Sequence, residues 1–122
     1  MLSLGATSAS AYQACKDIAT SQQFLECSLE RKEESDKKLN FAYRRLIKNI
    51  KTQYSNNSNS LAEYLSKIKN SQRAWITLRN ENCALESFEI EEQSQAHVTT
   101  LNNCEARMSK ERTEYLIKTL GD

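Results

Sequence analysis

Hydrophobic residues recur along the chain at steps of three and four, the spacing that places them on one face of an α-helix. Two runs of this kind are separated by a short polar stretch. We therefore predict two long helices that each bury one face against a neighbour. The positions on these faces are Leu39, Tyr43, Leu46 or Ile47, Ile50 and Tyr54 in the first run, and Leu61, Leu65, Ile68, Gln72, Trp75, Arg79 and Cys83 in the second.

Polar residues mark where these helices begin and end. Thr20 and Gln23 have the spacing of a capping box, which predicts the start of the first helix. Residues 55–60 consist only of Ser and Asn and form the one clear loop composition. Ser60 and Glu63 have the spacing of a second capping box, which predicts the start of the second helix.

A third helix is predicted from near Val98 to Leu101 through Leu120, with Gly121 just past its end. These boundaries predict an all-α fold, a small antiparallel bundle of three main helices. The chain has two Gly and no Pro. This composition argues against nucleotide-binding glycine loops and against an all-β fold with frequent turns.

The first two helices should form an antiparallel hairpin. Because both helices rise by the same amount per residue in opposite directions, residues whose numbers sum to about 115 then lie at the same height. Near the loop this arrangement pairs apolar residues such as Ile50 and Leu65. Farther from the loop it pairs Asp36 with Arg79, so the spacing predicts an ion pair between the helices.

Polar residues cluster where the helices should meet. The second and third helices bring Cys83 level with Cys104 and Arg112 level with Trp75. Because buried charges need partners, we interpret the cluster as an internal ion-pair and amide network capped by Trp75. The alternative is a binding or catalytic pocket, but no nucleophile or base accompanies it. Its members are Asp36, Asn40, Gln72, Trp75, Arg79 and Arg112.

The start of the chain indicates export. Residues 1–11 are small and apolar and end in an Ala-x-Ala sequence, as at a signal-peptide cleavage site. We predict that they are a signal-peptide remnant, that residues 12–122 are a single domain, and that the mature protein is periplasmic. The alternative is a flexible N-terminus of an intracellular protein. No stretch is long and apolar enough to predict a membrane span.

Four cysteines in an exported chain of this length predict two disulfides, between Cys15, Cys27, Cys83 and Cys104. Their spacing does not match a zinc site. The single histidine, His97, has neither a free thiol nor a second histidine to work with. The sequence therefore predicts no metal, no cofactor and no enzymatic activity.

The segment between the last two cysteines is acidic and polar, and it is either a helical extension or an irregular loop. A charge run of this kind is most simply a solvated surface. Its functional interpretation is a tethered, acidic contact for a basic groove on a partner. The residues predicted to bind that partner are Glu89, Glu91, Glu92, Gln93, Ser94, Gln95 and His97.

Three motifs resemble the lysozyme inhibitor LprI N-terminal domain family, over residues 15–116. Residues 35–43 resemble its D-x-x-L-N-x-x-Y signature, and residues 72–83 its Q-R-x-W-x-x-x-R-x-x-x-C. Residues 104–116 resemble its C-x₄-T-x-x-R-x-x-x-L, with Ser109 in place of Thr. The family's glycine-containing stretch between the last two cysteines is replaced here by Glu, Gln and Ser.

The resemblance implies a small secreted or periplasmic helical domain that binds cell-wall hydrolases. Some members resemble lysozyme inhibitors, and others are immunity proteins that block type VI secretion amidases. The resemblance also implies disulfides between neighbouring cysteines, Cys15–Cys27 and Cys83–Cys104, while the helix levels leave Cys27–Cys83 open.

The leading hypothesis is a periplasmic immunity protein that inhibits a type VI secretion amidase effector. Net charge motivates this choice over a lysozyme inhibitor of the LprI type. Common lysozymes are strongly basic, and an inhibitor steered to them would carry net negative charge, whereas this chain has a net charge of +1. That balance also gives no sign of nucleic-acid or membrane binding. The alternative from another class is a structural or sensory envelope protein that self-associates as a homodimer.

Overall fold

Three long helices run up, down and up along the molecule. The computed structural model describes residues 15–121, with α1 at Ser21–Gln53, α2 at Ser58–Glu86 and α3 at Gln95–Tyr115. A π-helical turn, Leu116–Leu120, continues α3. The all-α prediction and both disulfides, Cys15–Cys27 and Cys83–Cys104, are confirmed. The predicted signal-peptide remnant, residues 1–11, lies outside the described residues.

The helix boundaries follow side-chain caps. The predicted capping box at Thr20 is present, with its hydroxyl accepting from the Gln23 backbone and the Gln23 side chain accepting from the Thr20 backbone. The predicted start of α2 at Ser60 is wrong, because the Asn57 side chain accepts from the Ser60 backbone and caps a helix that begins at Ser58. Likewise α3 begins before Val98, because the Ser94 side chain caps it.

The most extensive interface joins α1 to α3, which run parallel. The backbones of α1 and α2 are farther apart, and these helices meet through side chains, from Tyr54 and Tyr64 near the loop to Asp36 and Arg79 farther down. Between α1 and α3, Ser28 accepts a hydrogen bond from the buried Asn102 amide at 3.1 Å. Ser28, Ala106 and Ser109 are buried, and such small side chains allow close approach of the backbones. Pairing helices that are adjacent in the chain does not predict this interface.

The core consists of two apolar clusters along the bundle. The larger one contains the buried residues Leu39, Ala42, Leu46, Ile50, Ile68 and Leu116. The smaller one contains Cys83, Cys104 and Met108. Trp75 packs against both clusters and so connects them.

Gly121 closes the last turn for a reason other than the one expected. A glycine just past a helix end usually adopts a positive φ. Here φ is −78°, so that freedom is not used. A Cβ atom at this position would lie 2.5 Å from the carbonyl oxygen of Ile117. The absence of a side chain is therefore what permits the close approach.

Candidate partner-binding site

The connection between α2 and α3, residues 87–94, forms a closed loop that we call the tip loop. The segment between Cys83 and Cys104 combines both expected forms, because residues 84–86 and 95–103 are helical and residues 87–94 form a loop of successive turns. The buried Ser87 hydroxyl donates to the Cys83 carbonyl at 2.9 Å and ends α2. The Ile90 backbone N–H donates to the Ser87 carbonyl, and the Ser94 backbone N–H donates to the Glu91 carbonyl.

Ser94 and His97 hold the far side of the tip loop. The Ser94 hydroxyl donates to the Glu91 carbonyl at 2.7 Å and accepts from the His97 backbone N–H at 3.2 Å. The His97 ring nitrogen Nδ1 lies 3.2 Å from the Ile90 carbonyl. Since a carbonyl oxygen only accepts, Nδ1 donates in this contact. His97 therefore orients the loop, in keeping with its half-buried position.

The residues predicted to bind a partner divide into two groups. Ser94 and His97 are half-buried and make the contacts within the loop. The other five are solvent-exposed on or beside the tip loop: Glu89, Glu91, Glu92, Gln93 and Gln95. The structure thus presents three carboxylates and two amides on one short segment.

Two exposed apolar side chains beside these carboxylates were not among the predicted site residues. Leu85 is 73% exposed and Phe88 is 80% exposed, the highest values among the large hydrophobic residues of the described chain. Leu85 follows the inward-facing Cys83 by two positions, about 200° around a helix, which places it on the opposite face. The helical rotation per residue, counted from the buried Cys83, could therefore have indicated that Leu85 faces outward.

The base of the tip loop is fixed to the rest of the bundle. The Cys83–Cys104 disulfide joins α2 and α3 below it, and both cysteines are fully buried. The Gln95 side chain donates to the Gln22 side chain at 2.7 Å and ties the start of α3 to the first turn of α1. These links leave the loop little freedom relative to the helices.

The predicted polar cluster lies farther along the bundle. Asp36 Oδ1 is 3.9 Å from Arg79 Nη1, which is the ion pair expected from the helix levels. Arg79 and Arg112 lie 5.3 Å and 5.9 Å from the ring centroid of Trp75, so the indole contacts two guanidinium groups. This geometry is that of cation–π contacts.

Arg112 connects the polar cluster to α2. It donates to the Gln72 side chain at 2.9 Å and to the Ser71 hydroxyl at 2.8 Å. Burial lowers the pKa of Arg112 from its ordinary value, and Tyr115 and Tyr43 act in the opposite direction. The guanidinium remains charged at neutral pH because arginine titrates far above it.

Asn40 was placed in the polar cluster but is solvent-exposed in the structure. The seam position that we assigned to it is wrong, because the neighbouring Leu39 is buried in the larger core cluster and Asn40 lies about 100° farther around the helix, facing solvent. The remaining contacts join all three helices, as expected of a network that fixes register.

Charge is strongly separated along the bundle, at about the level of the Asp36–Arg79 pair. Residues 15–36 and 79–108, which we call the acidic half, hold twelve acidic and five basic residues. Residues 37–78 and 109–121, the basic half, hold three acidic and twelve basic residues. The near-zero net charge of the chain is therefore the sum of a negatively charged half and a positively charged half. The tip loop lies at the end of the acidic half.

Comparison with known proteins identifies the family. The family model for lysozyme inhibitor LprI matches residues 13–116. The chain belongs to the LprI family. The family is described as that of a lysozyme inhibitor, and this chain is a lysozyme-inhibitor-like protein.

The fold of this LprI protein is similar to that of a DUF1311 family protein from Pseudomonas putida KT2440, known from a crystal structure. DUF1311 and LprI are the same family. The two chains share 31% sequence identity with a TM-score of 0.75, and the match covers 84% of this chain and 95% of the other. A comparison with curated proteins found no match. Within residues 15–121, no helix is both long and apolar enough to span a membrane.

Proposed function

We propose that this LprI protein is a periplasmic inhibitor that binds a peptidoglycan-degrading enzyme and blocks its substrate groove with the tip loop. The observation that carries the proposal is the loop itself, which is closed by its own hydrogen bonds, fixed by a buried disulfide and exposed at the end of the acidic half. A loop ordered in this way loses less conformational entropy on binding than a free one.

The composition of the tip loop fits a groove with a basic rim. Glu89, Glu91 and Glu92 supply negative charge, which steers association with a positively charged surface. Phe88, which directly precedes Glu89, supplies a large exposed apolar side chain. Binding energy at protein interfaces is concentrated in a few such anchors surrounded by polar contacts.

The target enzyme belongs to one of two classes. The immunity hypothesis has a type VI secretion amidase effector as target. It depends on the net charge of +1, because an inhibitor of a strongly basic lysozyme would carry a net negative charge. The surface that would approach the target is the acidic half, whose excess of seven acidic residues removes that objection. The family description favours a lysozyme, so both classes belong in the test.

The function is tested by inhibition assays with the mature protein. Peptidoglycan digestion by a lysozyme and by a type VI secretion amidase is followed as this protein is added at increasing concentration. Stoichiometric inhibition of either enzyme supports the proposal and identifies the class. Absence of inhibition and of complex formation with both, together with a stable homodimer in light scattering that buries the tip loop, would favour the self-association hypothesis instead.

Reversing two charges on the tip loop should weaken the complex. We expect Glu91→Lys/Glu92→Lys to reduce affinity for the target at least tenfold, because the substitution places like charge against the basic rim. The control is Glu111→Lys/Glu114→Lys, which makes the same change in net charge on α3 in the basic half. Titration calorimetry measures both, and equal losses would mean that net charge rather than the tip loop controls binding.

Phe88 should act as the apolar anchor of the contact. We expect Phe88→Ala to reduce affinity about tenfold or more, the usual effect at an interface anchor. The fold should be unaffected because the side chain is 80% exposed. Phe24→Ala, at a 53% exposed phenylalanine on α1, is the matched control. Wild-type affinity of the Phe88 variant would exclude an anchoring role.

A further inference from the structure

The face formed in the basic half by α1, the end of α3 and the π-helical turn carries two outward-facing apolar side chains. Phe41 is 59% exposed and Ile117 is 54% exposed. Both line the same two adjoining grooves, with the buried Ala42 between the helices. An aromatic and a branched apolar side chain therefore share one exposed ridge.

Cationic side chains surround this ridge. Lys37, Lys38, Arg44, Arg45 and Lys48 lie within two helical turns of Phe41, and all five are exposed. No acidic residue occurs between positions 37 and 62. Among the ion pairs of residues 15–121, only Lys38 of these five takes part, with Glu34 at 3.7 Å.

The positive character continues on the α3 side. A groove of about 780 Å³ between α1 and α3 adjoins the ridge through Lys38 and Thr113. Its charged lining is Arg31, Glu34, Lys38, Arg107, Lys110 and Glu114, four cations against two anions. Face-to-face pairing of two copies would bring like charges together, so the expected occupant is anionic.

The composition of this face favours a lipid surface over an acidic protein. Three of the five cations around Phe41 are lysines, which are depleted in protein–protein interfaces, whereas the two arginines are compatible with either kind of surface. Four to eight Lys or Arg residues on an amphipathic helix are typical of binding to anionic lipids. Exposed apolar side chains on such a helix enter the boundary between headgroups and acyl chains.

We propose that the basic half binds the surface of an anionic phospholipid membrane. Phe41 and Ile117 enter the headgroup boundary, and the cations around Phe41 bind lipid phosphates. The protein lies on the membrane and does not span it. Since the same surface repels the acidic half, the tip loop remains accessible to a target enzyme.

Vesicle co-sedimentation tests this proposal without any hydrolase. We expect binding to vesicles of phosphatidylglycerol and phosphatidylcholine in equal parts, and at least tenfold weaker binding to phosphatidylcholine alone. Lys37→Gln/Lys38→Gln should lower the partition coefficient roughly thirtyfold, the loss expected for two cations at an anionic surface. Phe41→Ser should lower it about tenfold through lost apolar burial.

The matched control is Lys67→Gln/Lys69→Gln, which removes the same charge from exposed positions of α2 in the basic half. It should lower binding less than threefold, and circular dichroism should show all variants folded. Equal losses in both lysine pairs, or equal binding to neutral vesicles, would overturn the proposal.

Two further results would replace the lipid with another occupant. Binding to soluble poly-L-glutamate as tight as to anionic vesicles, with no effect of Phe41→Ser, would indicate an acidic protein. A homodimer in sedimentation velocity that Phe41→Ser dissociates would indicate a second copy. Inhibition of a hydrolase should be unchanged in the Lys37→Gln/Lys38→Gln variant, which keeps this test separate from that of the proposed function.

Discussion

Replacing Cys83 and Cys104 together by alanine is expected to lower the free energy of unfolding by about 3 kcal/mol. The disulfide closes a loop with a sequence separation of 21 residues, and constraining such a loop in the unfolded chain accounts for that amount in the chain-entropy model. Both cysteines are also part of the smaller core cluster, where they pack with Met108. Urea denaturation of the oxidised protein and the double variant measures the difference.

The Cys15→Ala/Cys27→Ala variant is the matched control, because its disulfide also closes a short loop, with a separation of 12 residues. Its global loss should be similar, but the location should differ. Amide hydrogen exchange should increase near residues 79–94 only when the Cys83–Cys104 bond is removed. Unchanged protection there would contradict the view that this bond fixes the tip loop.

The sequence predicted the helices well where a local interaction specifies them. The Thr20–Gln23 capping box needs only four residues, and it forms as expected. At the start of α2 both Asn57 and Ser60 are possible N-caps. The prediction used Ser60, whereas the structure uses Asn57. Asn is as good a cap as Ser, so the composition of residues 55–60 could not decide between them.

The α1–α3 interface could not be found from hydrophobic periodicity. Its centre includes Ser28, Asn102 and Ser109, which are buried although they are polar. Small polar residues allow the helix backbones to pack closely, but they leave no apolar stripe in the sequence. The equal-height pairing of α1 and α2 therefore predicted the Asp36–Arg79 ion pair correctly, but it placed the exposed Asn40 at the helix interface incorrectly.

The candidate site was predicted in its location but not in its chemistry. The acidic run between Cys83 and Cys104 pointed to the tip loop, whereas the exposure of Phe88 depends on turns that only the fold defines. Charge shows the same limit more strongly. A net charge of +1 gave no reason to expect either an acidic or a basic surface, because the separation depends on which segments lie side by side.

Trp75→Ala is expected to lower the free energy of unfolding by about 3 kcal/mol, at the low end for a tryptophan because the side chain is only half-buried. Between Ile68 and Cys83, α2 has no fully buried residue. Trp75 fills that interval, since it packs against both core clusters and lies beside the guanidinium groups of Arg79 and Arg112. Its removal should separate the two clusters and leave Arg79 without its aromatic contact, whereas Arg112 keeps its contact with the Tyr115 ring at 5.1 Å.

Two substitutions separate this role from a general effect of α2. Trp75→Phe keeps an aromatic face for the arginines and should cost about 1 kcal/mol, while Ile76→Ala removes an outward-facing neighbour and should cost less than that. Urea denaturation measures all three variants. If Trp75→Ala costs no more than Ile76→Ala, the polar cluster does not join the helices through Trp75, and the side-chain contacts of Arg79 and Arg112 with the neighbouring helices are sufficient at this level.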